Sequence, residues 1–190
     1  YKRQIHKDVN LSSQRISEFF ARIGDEAFQR KFFKNYMSTF FDTNESLIID
    51  TSALPNEIHF PLNAWGYNDG DIDKQIKLLF VIDKKTSLPL FFRYLPGNIV
   101  DVSTLKVTID ELSKFNIQRS LVILDAGFFS EDNIKELYKD EIDFLTRLPA
   151  SRKLYKDLIR TETLDIEKIS NAARYGKRGL FIKQKKIDLF

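Results

Sequence analysis

Two short apolar runs, each ending on an aspartate, constrain this chain more than anything else in it. Leu121-Val122-Ile123-Leu124 runs into Asp125-Ala126-Gly127-Phe128-Phe129, and far upstream Leu47-Ile48-Ile49 runs into Asp50-Thr51-Ser52. Apolar residues with β-branched ones in the middle, bounded by an Asp and a Gly, fit a central strand covered on both faces better than an edge strand facing water. Laid side by side, two such strands bring two carboxylates to one end of a sheet. Like charges that close repel, and a cation between them is the natural remedy.

The rest of the composition narrows which cation. The chain has no Cys and only two His, His6 and His59, which removes disulfides, thiol nucleophiles and nearly every zinc site and leaves hard, oxygen-bound metals. Its 190 residues are enough for one main domain with small additions. A balance of 30 Lys and Arg against 27 Asp and Glu gives a net charge of +3, too small to establish a polyanion partner without local clustering. No apolar run has the length of a membrane span and the N-terminus does not read as a signal peptide, so the default reading is a soluble, intracellular protein. A start at Tyr1 and a single Met suggest an internal piece of a longer protein.

Taken in order, residues 1 to 10 are polar. From Ser12 or Ser13 a helical stripe of Ile16, Phe19, Phe20, Ile23 and Ala27 begins, interrupted at Gly24. Asp25 can cap a second helix with Phe28, Phe32, Tyr36 and Phe40 on its face, before the sequence turns polar at Asp42 to Glu45. The pair could enter a DNA groove, but the reading favours a plain helical pair packed on the domain. Strand character from Leu47 stops at Asp50, and some twenty loop-like residues follow, with Pro55, Pro61, Gly66 and Gly70. Trp65 in that loop could stack on an unpaired base, though burial as an anchor is favoured. Lys77 to Asp83 and Leu88 to Tyr94 then read as a hairpin, which makes three adjacent antiparallel strands.

Beyond Pro96-Gly97-Asn98, with Asn98 assigned to the turn, Asp101 or Ser103 can cap a helix to about Phe115 whose inner face carries Leu105, Ile109 and Leu112. For Asp101 a helix cap is favoured over a metal ligand. After the Asp125 strand come a helix from Ser130 or Asp132 through Tyr138, a strand from Ile142 to Leu148 and a helix from Ser151 to about Arg160. Arg174 to Lys183 reads as a turn leading into a strand, and the chain stops at Phe190 as if another strand were starting. The layout is α/β with a mixed sheet, three antiparallel strands followed by alternating helix and strand. Its expected parts are an N-terminal helical segment (1–45), a main α/β core (46–163) and a C-terminal segment that changes character again (164–190).

Five motifs stand in a telling order: Leu-Ile-Ile-Asp-Thr-Ser, Trp-Gly-Tyr, Leu-Pro-Leu-Phe-Phe-Arg, Pro-Gly-Asn with Asp101 after it, and Leu-Asp-Ala-Gly-Phe-Phe-Ser. Together they resemble the DDE transposases of bacterial insertion sequences, in particular the cut-and-paste group with a β-rich insertion. The similarity runs from about Leu47 to Leu148, and the tail from Asn171 resembles the opening of that insertion.

The resemblance implies a ribonuclease H-like fold in which Asp50 and Asp125 are catalytic and bind metal, with a third acidic residue, a Glu, on a later helix. Two Mg²⁺ or Mn²⁺ ions roughly 3.5 to 4 Å apart would activate a water and relieve charge on the leaving oxygen. A freed 3′-hydroxyl would replace water to join DNA. In the family pattern a Tyr is followed by Arg three positions on, the Glu four further and a Lys seven beyond. Tyr175 with Arg178 begins that pattern, but position 182 is Ile, and Glu136, Glu141 and Glu162 lack the context. The Glu is therefore expected beyond Phe190 and the piece by itself inert.

The densest basic region holds Arg152, Lys153, Lys156 and Arg160, then Arg174, Lys177, Arg178, Lys183, Lys185 and Lys186. Phosphate contacts are assigned to Arg147, Arg152, Lys153, Arg174, Lys177 and Arg178, against an ordinary ion pair for Arg147 and a merely solvated face for the rest. By kinship the partners are DNA, as transposon ends and target, and a second copy of the chain, in a bacterial cytoplasm. A nuclease or resolvase of the same fold, or a defective copy that only binds DNA, remains open.

Overall fold

The strand that ends its buried run on Asp50 is the hub of the sheet. The computed structural model describes residues 12–40, 46–68, 70–115 and 121–187; the polar residues 1 to 10, the polar stretch at 42–45 and the strand expected to start at Phe190 lie outside them. The chain forms two compact units, 1–146 and 147–190.

In the first unit, β1 (Leu47–Pro55) pairs antiparallel with β3 (Asp71–Asp83), from Leu47 opposite Asp83 to Pro55 opposite Gln75. On its other side β1 pairs in parallel with β5 (Val122–Leu124), and β5 pairs in parallel with β6 (Phe144–Thr146). The outer flank of β3 carries β4 (Pro89–Pro96) and β2 (Ala64–Asn68), both antiparallel to it. Three antiparallel strands followed by parallel strands with intervening helices are the expected ribonuclease H-like mixed sheet. The loop expected after Asp50 is shorter than expected: β1 runs on to Pro55, and β2 with the first half of β3 builds a ribbon from residues expected to be loop. Pro55 closes β1, and Pro61 and Gly70 fall between strands, where no ladder hydrogen bond is lost, while Gly66 lies in the middle of β2.

Alternation shows which face is covered. Leu47, Ile49, Leu79, Val81, Val122 and Leu124 are buried in one core with Leu105 and Leu112 of α3 (Leu105–Lys114) and Ile134 and Leu137 of α4 (Glu131–Lys139). The alternate residues Ile48, Leu78, Phe80 and Ile123 are only half-buried, and Leu145 is 60% exposed. The strand leading to Asp125 is thus central but, among the described residues, covered on one face rather than two. The reason is that pairing on both edges and burial on both faces are separate properties, and the short apolar run reports only the first.

At the N-terminus α1 (Ser13–Ile23) is capped by the Ser12 hydroxyl, which accepts from the Arg15 amide, and α2 (Glu26–Phe40) by Asp25, which accepts from the Phe28 amide at 2.8 Å. α2 buries Phe33 and Met37, with the Phe33 ring tilted against Phe91 and edge-on to Phe92 of β4. Of the stripe expected to face inward, Phe28, Phe32 and Phe40 are exposed and Tyr36 is half-buried, and α1 buries nothing. Two overlapping aromatic stripes run along α2, and the edge of β4 selects the one that reaches it, helping to cover an otherwise open strand edge.

The second unit consists of α5 (Lys153–Ile166) and the hairpin of β7 (Ala172–Tyr175) and β8 (Arg178–Phe181). Its turn places Gly176 at φ +58, a left-handed conformation that favours glycine.

Candidate active site

Asp50 and Asp125 come together because their strands are parallel neighbours. Ile49 lies opposite Leu124, so the next residue on each strand is the next in register; adjacent strands run about 4.8 Å apart. Asp125 is still extended (φ −76, ψ 168) before the chain enters a 3₁₀ turn at Ala126–Phe128. Both aspartates follow a buried residue, so alternation turns both side chains to the less covered face, and both residues are exposed. One Asp50 oxygen accepts from the Thr51 amide at 2.8 Å, the local bond expected of an Asp in such a position.

The electrostatics carry the same message. Partial burial, and after it the charges of Asp125 and Asp101, push the Asp50 carboxyl above its ordinary value, against the pull of the Thr51 amide. A carboxylate whose proton affinity is raised by neighbouring carboxylates, with oxygen as the only donor type, suits a hard divalent ion. Among the described residues no group of three or more His, Cys, Asp or Glu is gathered to hold one.

Asp101 departs from expectation. It does not cap the helix: it opens a 3₁₀ turn (Asp101–Thr104) capped by Val100, with no side-chain cap bond. Its carboxylate instead pairs with Lys77 of β3 at 2.9 Å. An Asp at a helix start satisfies amides only when its own backbone is extended, and a residue already inside the turn cannot aim back at them. Lys77 escaped the sequence reading, although a signal existed. It occupies an inward position of β3, in phase with buried Leu79 and Val81, and a charge there calls for a partner.

Trp65 also departs from expectation. It is 62% exposed, with the Lys74 ammonium 5.8 Å from its ring, and Tyr67 is 71% exposed. The burial expected of Trp65 belongs to its neighbour Gly66, which packs with Gln75 against Gly97; the Gln75 amide donates to the Gly97 carbonyl at 3.2 Å. In the ribbon, Trp65 and Gly66 point to opposite faces, and the loop is anchored through the one without a side chain.

In the second unit the six cations assigned to phosphate, Arg147, Arg152, Lys153, Arg174, Lys177 and Arg178, are all exposed. The Arg174 guanidinium donates to the Gly176 carbonyl at 3.1 Å. Other members of the basic run are engaged: Arg160 pairs with Asp157, and Lys183 and Lys185 both pair with Glu162. Hydrogen bonds first from Lys183 and then from Lys185 pull the Glu162 carboxyl from 4.5 to about 2. A depressed carboxylate strengthens the folded form above its unfolded pKa, and that contribution is lost as pH falls from 4.5 toward 2. Glu162→Gln is expected to speed tryptic cleavage after Lys183 and Lys185, and an NMR titration of the Glu162 carboxyl to have its midpoint near 2. Cleavage rates equal to wild type would show that the clamp holds nothing.

The transposase DDE domain family matches residues 39–188. No curated protein matches the chain. Among solved structures, the chain is similar to piggyBac transposase in its synaptic complex with hairpin DNA, with 17% identity and a TM-score of 0.46 over 62% of this chain and 26% of that one. It is similar to Mos1 transposase in a paired-end complex with the left transposon end (11% identity, TM-score 0.39, 84% of this chain and 60% of that one). It is also similar to the Mos1 mariner paired-end complex with Mn (12%, TM-score 0.38, 86% and 60%). The chain thus spans less than two thirds of each of those proteins. The family match takes in Asp50, Asp101, Asp125 and most of the chain, and on that evidence the chain belongs to the transposase DDE domain family.

Proposed function

We propose that Asp50 and Asp125 are two of the three carboxylates of a metal-dependent site that cuts DNA strands and joins them to a target. The observation that carries this reading is the register: on neighbouring parallel strands in a family of this kind, the two carboxylates are next to each other and face the same way. Mg²⁺ or Mn²⁺ fits the donor set, and when bound such an ion supplies charge relief at the scissile phosphate and a more acidic water. The chain's own part is to hold the two carboxylates aligned on neighbouring strands of the sheet.

The third carboxylate is proposed to be a Glu on a helix beyond Phe190. Supporting this, the face toward which Asp50 and Asp125 turn is the one with half-buried Ile48, Phe80 and Ile123, where a further helix would find apolar seating. Arg147, Arg152, Lys153, Arg174, Lys177 and Arg178 are proposed to contact phosphates of the transposon end or target, and two copies of the chain to act on paired ends. The organism is proposed to be bacterial and the element an insertion sequence.

A strand-transfer assay on a polypeptide extended beyond Phe190 tests the reading. The substrate is a supercoiled plasmid carrying the coding segment with its natural flanks. Joined product in Mg²⁺ or Mn²⁺ is the expected result; cleavage without joining would make it a nuclease or resolvase, and binding without cleavage a DNA-binding protein. The 190-residue chain alone is expected to leave the plasmid intact, so nicking by it would overturn the assignment of the third carboxylate beyond Phe190.

A further inference from the structure

We propose that the Lys77–Asp101 ion pair is a positioning device for Asp125, pinning from behind the turn that carries it. The inference rests on the reading of Asp50 and Asp125 as cation ligands. Asp101 belongs to a different layer from these two. Its carboxylate meets Lys77 at 2.9 Å on the core side of β3, where the two side chains are only 16% (Lys77) and 24% (Asp101) exposed. Its other oxygen lies against Gly127, two residues past Asp125: a Cβ added at Gly127 would stand 2.9 Å from it. Gly127 thus provides the room that lets a carboxylate seat on this turn.

The turn itself is short, and side chains outside it hold two of its carbonyls: Asn133 donates to that of Phe128 at 2.8 Å and the Thr146 hydroxyl to that of Asp125 at 3.4 Å. The Phe128 amide donates to the Asp125 carbonyl at 3.1 Å and the Phe129 amide to the Ala126 carbonyl at 3.2 Å. Burial of the Phe128 ring fixes its far end. Asp101 closes the remaining side, and it is held in turn by the Thr104 hydroxyl, which donates to its backbone carbonyl at 2.7 Å, and by Lys77. A lysine at an inward strand position is costly unless paired, so each member of the pair needs the other. The run Lys77, Asp101, Gly127, Asp125 is contiguous and ends on a proposed ligand. This is the kind of support that orients a metal-binding carboxylate.

Two other roles for the pair predict effects of opposite sign, which makes the proposal testable. If Asp101 were itself a ligand, or acted only through its charge, removing Lys77 would free or unmask a negative group and strengthen cation binding. If the pair positions Asp125, losing either member weakens it. The experiment is Mn²⁺ binding to the 190-residue chain by electron paramagnetic resonance, with amide exchange at Phe128 and Phe129 as an independent readout.

Asp101→Asn and Lys77→Met are each expected to weaken Mn²⁺ binding about tenfold, and the double variant no further. Lys77→Arg keeps the charge and is expected to retain most of the affinity. Exchange at the two amides is expected to quicken in the three weakened variants. Gly127→Ala reads the same contact without touching a charge, should Asp101→Asn fail to fold. Tighter Mn²⁺ binding by Lys77→Met, or wild-type affinity and exchange in both single variants, would overturn the proposal. A wild-type chain that binds no Mn²⁺ would instead overturn the reading of Asp50 and Asp125, and the exchange rates would still decide whether the pair grips the turn.

Discussion

Asp50→Ala and Asp125→Ala are each expected to cut DNA strand cleavage by the full-length protein about a thousandfold or more while DNA binding persists. The size follows from what a carboxylate does in such a site. Losing one ligand forfeits several kcal/mol of transition-state charge stabilisation, and each 1.36 kcal/mol is about a factor of ten in rate. Both residues are exposed and neither belongs to the buried core, so the melting temperature is expected to stay close to wild type. The double variant is expected to be no slower than the worse single one, because the two act as a unit. Asparagine in either position keeps the shape and removes the charge, so it should fail as alanine does. Cleavage by any of these variants within tenfold of wild type would remove that residue from the site.

A pH signature goes with this result. Asp50 holds its proton more tightly than an ordinary Asp, through burial first and then the charges of Asp125 and Asp101. Cation binding is therefore expected to fade, as pH falls, at a higher pH than the ordinary value of 3.8 would set. For folding the sign is reversed: a raised carboxyl costs stability at neutral pH, and the cost is relieved on acidification.

Gly66→Ala and Gly97→Ala carry the largest expected effects on stability. A methyl on Gly66 would lie 2.1 Å from the Gly97 carbonyl oxygen and 2.2 Å from the Gln75 amide nitrogen; one on Gly97 would lie 2.1 Å from the Gln75 carbonyl oxygen and 2.7 Å from that of Ala64. Most of these neighbours are backbone atoms of the sheet, which cannot swing aside. Gln75 is fully buried, and its amide donates to the Gly97 carbonyl. Overpacking of this kind costs about 3 kcal/mol, a fall of about 6 to 12 °C in melting temperature for a chain of this length. Gly179→Ala, where nothing lies within 4 Å, is the control and is expected to be close to neutral. Equal thermal stability of Gly66→Ala and Gly179→Ala would mean that the backbone here yields more readily than its contacts imply.

The contrast between these glycines and Trp65 shows where legibility ended. Composition and turn residues around Trp65-Gly66-Tyr67 suggested a loop held by its largest side chain. The ribbon is held instead by its smallest, because a strand presents successive residues to opposite faces, and which face is covered depends on partners distant in the chain. The same reasoning covers α2. Phe28, Phe32 and Phe40 make as regular a stripe as Phe33 and Met37, and helical periodicity cannot choose between two stripes that share one helix. Asp101 was visible as an acidic residue after Pro-Gly-Asn, but its partner Lys77 lies on another strand, and ion pairs between distant segments leave only a faint mark in the sequence.

By itself the sequence determined most of the element types, the side-by-side placement of the two apolar runs that lead into Asp50 and Asp125, and the membership in a family that matches residues 39–188. These are properties of local pattern: short β-branched runs, capping residues at helix starts and an order of motifs, each readable within a few residues. Only the tertiary structure decided that one face of the sheet is covered and the other, among the described residues, only half covered, and that Lys77 reaches Asp101. It alone also decided that Lys183 and Lys185 close on Glu162 rather than face solvent. Those outcomes depend on where distant segments meet, and a charge or an apolar side chain takes its energy from that meeting rather than from its neighbours in the chain.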